Sequence, residues 1–282
     1  MMSPMSLRMS RVATGVPSAL VVLCLTLFVS VPLYSMVVTA VKTDREIYDD
    51  FTYLPKQPTL VQFERVIVRE RFMVNLRNSL IVATTSTVVA VLMSVLAAFA
   101  VVRLRFTGRI WIARIILFKY LLPTSLIYIP LFLVVNSLGL TNTLQSLIFT
   151  YLSFSIPFAT WLMMGYFRGI PPELEEQAMI DGCSRLGAMV RVLLPVAAPG
   201  LVAASIFTFT GAWNEFLLAL VFINRPDLQT VPVKLAGMIV GDQYVWGMIM
   251  AGAILASVPV IALYFLAQRF VVAGLAAGAV KG

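Results

Sequence analysis

Pro171-Pro-Glu-Leu-Glu-Glu-Gln-Ala-Met-Ile-Asp-Gly-Cys-Ser-Arg-Leu-Gly-Ala-Met-Val-Arg-Val-Leu-Leu-Pro-Val-Ala-Ala-Pro199 lies between two long apolar runs and carries four acids and two arginines. The pattern predicts two short helices outside the membrane. Pro171 and Pro172 suit a first helical turn, and Glu173, Glu175 and Glu176 put negative charge at the positive end of the helix dipole. Leu174 and Ala178 form only a weak apolar stripe, with Asp181 at the next position of that face. Gly182 then stops or bends the helix. Ser184 can cap a second helix running to Pro195.

The chain of 282 residues is 60% hydrophobic and only 12% charged, with a mean hydropathy of +0.93. Such composition in long runs indicates membrane spans. The net charge of +8 suits anionic lipid headgroups better than nucleic acid, and no nucleic-acid partner is expected. The absence of histidine excludes His-type zinc sites and imidazole acid–base chemistry. Cys24 and Cys183 fall in a predicted span and in the charged loop, so no disulfide is expected between them.

Six spans are expected, at about 16–41, 78–102, 111–135, 144–167, 196–222 and 245–267, in an all-α polytopic membrane protein forming one transmembrane domain over 1–282. Each has roughly 20 or more residues, enough to cross a ~30 Å hydrocarbon core as a helix. The first run is too long for a signal-peptide core and is read as retained. Residues 42–75 are polar and mixed in charge. Phe63, Val66, Ile67, Glu70 and Arg71 there predict a short helix, either lying amphipathically on the membrane or simply solvated. An even number of spans puts both termini on one side, together with residues 103–110, the loop 168–195 and the tail 268–282. Lys and Arg divide almost evenly between the two sides, so the positive-inside rule barely discriminates. Arg103, Arg105 and Arg109, lying directly against span ends, tip that side toward the cytoplasm.

Glu215 is the one carboxylate inside a predicted span. An intramembrane acid is costly and defaults to function or interior pairing. Trp213-Asn214-Glu215 reads either as part of a hydrophilic path, with Trp213 offering a sugar-stacking face, or as an interfacial cluster in which Glu215 snorkels or caps a helix. Lys119 is expected to snorkel to headgroups or to pair with Glu215. Pro123, Pro130 and Pro157 mark possible kinks, though membrane helices tolerate proline without any gating role.

Glu176, Gln177, Ala178, Asp181, Gly182, Leu194, Pro195 and Pro199 resemble, in type and spacing, the Glu-Ala-Ala loop of ABC-importer permease subunits, with Gln177 where that family usually has Ala. Leu54-Pro, Asn78-Ser-Leu-Ile-Val, Trp213-Asn-Glu-Phe and the ending Ala273-Gly-Leu-Ala-Ala-Gly-Ala-Val-Lys-Gly282 extend the resemblance to the carbohydrate-uptake, maltose-type branch. It implies a type I importer permease fold with both termini cytoplasmic in the cell membrane. It also implies a coupling helix that docks on an ATPase, here Glu173, Glu176, Gln177, Ala178, Asp181, Gly182 and Arg185. The implied partners are a second permease subunit, an ATPase dimer carrying ATP and Mg, an extracytoplasmic solute-binding protein and a sugar, in a lipid bilayer. Residues 223–244 would approach the binding protein, and the tail would reach the ATPase interface.

The sequence has no Gly-x-x-x-x-Gly-Lys-[Ser/Thr] loop, so the chain is expected to hold no nucleotide or other cofactor and to be a transport subunit, not an enzyme. Three other classes stay open on residues alone. An ion-coupled secondary transporter would use Glu215. A membrane enzyme is disfavoured by the lack of His and of clustered acids. A purely structural subunit would have no path of its own.

Overall fold

In a computed structural model, residues 4–49, 52–121, 123, 126–240 and 243–279 are described. The chain divides into two compact units, Met1–Glu70 with Met238–Leu255, and Arg71–Gly237 with Ala256–Gly282.

In the first unit, α1 (Pro4–Ala40) leads to α2 (Asp44–Tyr48) and α3 (Val61–Glu64), which continues as a π-helical turn, Arg65–Arg69. The polar segment after α1 is thus partly helical, as its residues predict. A buried polar knot fixes it. The Glu46 carboxylate accepts from the backbone N–H of Lys56 and Gln57. Gln62 Nε2 donates to Lys42 O and to Asp44 Oδ1. Burial pushes the Asp44 carboxyl up, but hydrogen bonds from Arg65 and Gln62 and the Arg65 charge outweigh it, so the net shift is down. The hairpin β1 (Ile239–Val240) and β2 (Gln243–Tyr244) pairs antiparallel. A Cβ at Gly247 would fall 2.4 Å from Gln62 Cδ, so a larger residue there would have to displace the buried Gln62 amide from its hydrogen bonds.

The second unit holds α4 (Phe72–Arg103), α5 (Arg109–Leu121), α6 (Tyr128–Ser137), α7 (Leu144–Arg168), α8 (Glu173–Ile180), α9 (Arg185–Ala188), a π turn (Met189–Leu193), α10 (Leu194–Val196), α11 (Ala198–Asn214), α12 (Leu217–Phe222) and α13 (Val231–Ala236). The last helix, α14 (Trp246–Ala279), belongs partly to each unit. The centre of this unit is α4 against α7 and α11. The buried face of α4 carries small or hydroxylated residues, among them Ser79, Ala83, Ser86, Ala90, Ser94 and Ala98. Leu80, Ile81, Leu92, Met93 and Leu96 face outward. This inversion follows from the solvent: lipid is as apolar as leucine, so helices associate through close backbone approach, which small residues allow. The same logic holds at Gly200 in α11, where a Cβ would lie 2.4 Å from the Tyr166 ring of α7.

Among the described residues, Leu20–Ala40, Phe72–Arg103, Leu144–Arg168 and Trp246–Gln268 are continuous helices able to cross a membrane. Two of the expected spans are not continuous helices. The third is two helices, α5 and α6, separated around Pro123. Pro130 falls in the first turn of α6, where its missing N–H costs nothing. The fifth starts at a 79° bend between Arg185–Val196 and Ala198–Asn214, and it breaks again at Glu215.

Candidate functional site

Two places in the second unit answer to the residues singled out by sequence. The first is the elbow α8–α9. Helix α8 ends in paired C-terminal hydrogen bonds: Gly182 N donates to Met179 O, and Cys183 N to Ala178 O. This is the Schellman arrangement, which needs a left-handed residue after the cap, and Gly182 supplies φ +89°. Space around Gly182 is open, so the backbone angle alone demands glycine there. Ser184 Oγ then accepts from Gly187 N and starts α9. The expected pair of short helices at a glycine bend is therefore present.

The elbow is held from beneath. Arg103, the last residue of α4, donates from Nε to Glu175 Oε1 at 2.5 Å and from Nη2 to Ile170 O at 2.7 Å. Both side chains are largely buried, 12% and 8% exposed. Met189 and Leu193 of the π turn lie in one apolar cluster with Phe99, Met163 and Phe167. Glu173, Glu176, Gln177, Asp181, Gly182 and Arg185 face outward, beside the apolar tips of Ile180, 85% exposed, Leu186 and Val190. Ala178 departs from the expected set. It is buried, and its small side chain seats α8 where a partner would not reach it. The Gln at 177 is accommodated because that position points away from the body. Sequence reading passed over Glu175 as one acid among three. Its place at i−3 from Ala178, on the same helical face, is the signal that separates it from Glu173 and Glu176.

The second place is a cavity of about 360 Å³ between α6, α7, α11 and α12, lined by Tyr128, Tyr151, Phe154, Phe207, Thr208 and Glu215 among others. The chain leaves helix at Glu215 (φ −68°, ψ 126°) and re-enters it at Leu217. The freed N–H groups of the new helix are met by the carboxylate: Leu218 N donates to Oε1 at 2.8 Å and Ala219 N to Oε2 at 3.1 Å. Tyr151 Oη donates to the same carboxylate at 2.9 Å. The two readings of Glu215 thus meet in one residue, which caps a helix and lines a cavity. Irregular backbone at membrane depth is tolerated where protein lines such a space.

Trp213 does not offer the expected stacking face. It is 4% exposed and stacks on Phe209, with centroids 5.6 Å apart. The chain leaves helix at Glu215, whose carboxylate lines the cavity, whereas Trp213 is still within α11 and faces the core. Asn214 is exposed, the last residue of α11, and is not among the lining residues. The aromatic walls come instead from Tyr128, Tyr151, Phe154 and Phe207, which no local motif marks. The buried Thr208 hydroxyl has no hydrogen-bond partner among the described residues. Lys119 does not pair with Glu215 among the described residues. Its ammonium lies 4.3 Å from the Phe154 ring centroid, a cation–π contact that holds it in place.

At the end of α4 remote from Arg103, Asn75 and Asn78 donate from Nδ2 to carbonyls of residues 226–229, and Val231 N donates to Ser79 Oγ. Asn142 Oδ1 accepts from Asn224 N and Arg225 N. The Arg225 guanidinium, hydrogen-bonded to Asp227, holds that carboxyl below its usual range. The loop after α12 is therefore a tied structure. Asn78 and Ser79, which entered the sequence reading only through resemblance, are its moorings.

A helical membrane body with an internal aromatic cavity, and with an anchored elbow that exposes both charge and apolar tips, is the form of a transport subunit that another chain drives. The family model described as binding-protein-dependent transport system inner membrane component matches residues 68–276, and the chain belongs to that family. It is 36% identical over 263 residues, 92% of this chain and 93% of the relative, to the inner membrane ABC transporter permease protein YcjP of Escherichia coli (strain K12). It is 37% identical to the sulfoquinovosyl glycerol transport system permease protein SmoH of Agrobacterium fabrum, covering 89% of this chain and 88% of the relative. It is also 37% identical to the trehalose/maltose transport system permease protein MalG of Thermococcus litoralis, covering 79% and 82%. In fold it matches a crystal structure of a bacterial ABC transporter involved in the import of the acidic polysaccharide alginate. That match has TM-score 0.79 and 20% identity over 95% of this chain and 98% of that one. The chain is a multi-pass membrane permease subunit, and ATP hydrolysis belongs to a separate subunit.

Proposed function

We propose that this chain forms one half of the translocation path of an ATP-driven carbohydrate importer and couples that path to an ATPase dimer through α8–α9. The observation that carries this reading is the elbow, an outward row of charges and apolar tips bolted by Arg103 and Glu175 to the end of the longest continuous buried helix. The partners are a second permease subunit, the ATPase dimer, and a solute-binding protein that delivers the sugar on the opposite face, at the moored loop 223–237. On this reading both termini and the elbow are cytoplasmic, and ATP and Mg reside on the partner.

The geometry supports a direct mechanical route. A force on α8 passes through Glu175 to Arg103 and so to α4, and through Ile170 to the end of α7. Both helices pack along their lengths, and α7 carries Tyr151, Phe154 and Ser155 into the cavity. ATP closure of the partner then favours one arrangement of these helices over the other, and that difference in affinity is the coupling. In the cavity, Tyr and Phe rings offer faces to sugar C–H groups. Glu215, Ser155 and Thr208 offer polar atoms to hydroxyls.

The relatives named for sulfoquinovosyl glycerol and for trehalose and maltose support a carbohydrate cargo. The ion-coupled alternative would ask Glu215 to exchange protons, whereas its carboxylate already meets three donors, two of them backbone N–H groups. Co-expression with the ATPase and second permease, reconstitution, and uptake of labelled sugar test the proposal. Uptake should require ATP and the binding protein and survive an ionophore. Uptake that collapses with the proton gradient and continues without the ATPase would replace this reading with the ion-coupled one.

A further inference from the structure

A second cavity, of about 210 Å³, opens where three helix ends meet on the elbow side of the unit, and it is lined by Val101, Val102, Arg109, Ile110, Ala113 and Arg168. Two guanidiniums thus share one space with four apolar side chains. Neither has a carboxylate partner among the described residues: the ion pairs there are Arg65–Asp44, Arg103–Glu175 and Arg225–Asp227. The hydrogen bond that Arg109 makes is a long one to Leu104 O, at 3.4 Å. Arg103, on the same turn as the apolar lining, is already spent on Glu175 and Ile170. Two like charges facing one cavity repel each other unless an anion lies between them. The planar donor forks of arginine match phosphate and carboxylate oxygens alike, and at a membrane face phosphate is the anion that the bilayer supplies. Depth within the bilayer comes from the next turn of α5. Trp111 is exposed with the Arg114 guanidinium 5.1 Å from its ring centroid, the amphipathic pair expected at the level of lipid headgroups.

We propose that Arg109 and Arg168 bind the phosphate of an anionic phospholipid, whose first acyl carbons lie along Val101, Val102, Ile110 and Ala113. Basic pockets between helices at a membrane face are suited to this ligand, because the bilayer presents the phosphate and the chain together. Arg168 closes α7 three residues before Pro171, so the bound headgroup braces the root of the elbow. The inference depends on these helices crossing a bilayer and not on which solute is carried.

The test uses the full-length chain, delipidated in detergent, with retained lipid counted by native mass spectrometry. Dioleoylphosphatidylglycerol should be retained at roughly tenfold or more lower concentration than dioleoylphosphatidylcholine, from two arginines at the surface. The R109Q/R168Q double variant should lose that preference, and R225Q, at the opposite end of the unit, should keep it. Should the double variant not fold, R168Q carries the test, because Arg168 is exposed and its loss leaves the core intact. Equal retention of the two lipids, or a preference unchanged in R168Q and the double variant, overturns the site. Displacement of the lipid by an equal concentration of inorganic phosphate overturns the lipid assignment in favour of a soluble anion.

Discussion

Replacing Glu175 by alanine should disconnect the elbow from the membrane helices. The Arg103–Glu175 contact at 2.5 Å has a gross attraction of about 4 kcal/mol or more at an effective dielectric of 20. Much of that is offset by the desolvation of both groups, so the pair itself adds little net stability. Removing one partner is different, since it strands the other, at a cost of about 3–5 kcal/mol for a fully buried pair. Here Arg103 keeps its bond to Ile170 O and retains 12% exposure, which lowers the expected cost to about 2–3 kcal/mol. An eight-residue helix has no stability of its own, so this penalty falls on the seating of α8. At 1.4 kcal/mol per tenfold, the seated fraction relative to the unseated falls roughly 30- to 150-fold. In proteoliposomes containing the complete importer, the variant should retain basal ATP hydrolysis and lose most of the sugar moved per ATP. Glu175→Gln, which keeps an acceptor without the charge, should lose less, and the R103E/E175R exchange should recover part of the coupling. An unaltered ratio of sugar to ATP in Glu175→Ala would refute the reasoning, whatever its effect on expression.

Gly182→Ala should weaken coupling by about 1–2 kcal/mol, the cost of a left-handed non-glycine residue, because no steric contact opposes the new Cβ. A larger residue there should add nothing beyond this until the ATPase docks, which sugar-uptake assays of Gly182→Ala and Gly182→Trp with equal insertion would check. Glu215→Ala leaves the N–H groups of Leu218 and Ala219 and the Tyr151 hydroxyl without their acceptor, so it should both slow uptake and lower thermal stability by about 1–3 kcal/mol. Unchanged stability with reduced uptake would remove the capping role. Asn78→Ala should spare ATPase binding and reduce stimulation by the loaded binding protein, with Asn142→Ala acting in the same direction. A membrane-impermeant maleimide should label Cys183 in inside-out vesicles and not in intact cells. It should spare Cys24, which lies in the apolar run of α1, out of reach of a reagent confined to water. Labelling of Cys183 from outside intact cells would invert the proposed topology.

The helical elbow was legible from its residues because its signals are local. Prolines, acids at a helix start, a glycine and a serine cap act within one or two turns, and composition alone announces that the flanking runs belong in lipid. The same locality explains the failures. In a span, lipid-facing and protein-facing residues are equally apolar, so no periodic polarity tells which way Trp213 points or that Tyr128, Tyr151 and Phe154 converge. The break at Glu215 carries no Pro or Gly to mark it, because what stabilises it is a carboxylate turned back onto the next helix and a tyrosine 64 residues earlier. Of the tail 268–282, which the resemblance takes to the ATPase interface, residues up to Ala279 continue α14, and 280–282 lie outside the described residues. The identity of the partner of Arg103 was likewise undetermined, since three glutamates stand within four positions and only the rotation of α8 selects one. Sequence by itself therefore determined what must lie in the membrane and where the chain must bend outside it, through short-range backbone chemistry and the cost of charge in hydrocarbon. Tertiary structure decided which polar atoms face one another, because helices in lipid are oriented by close packing and by the need to satisfy every buried donor, and both depend on neighbours far away in the chain.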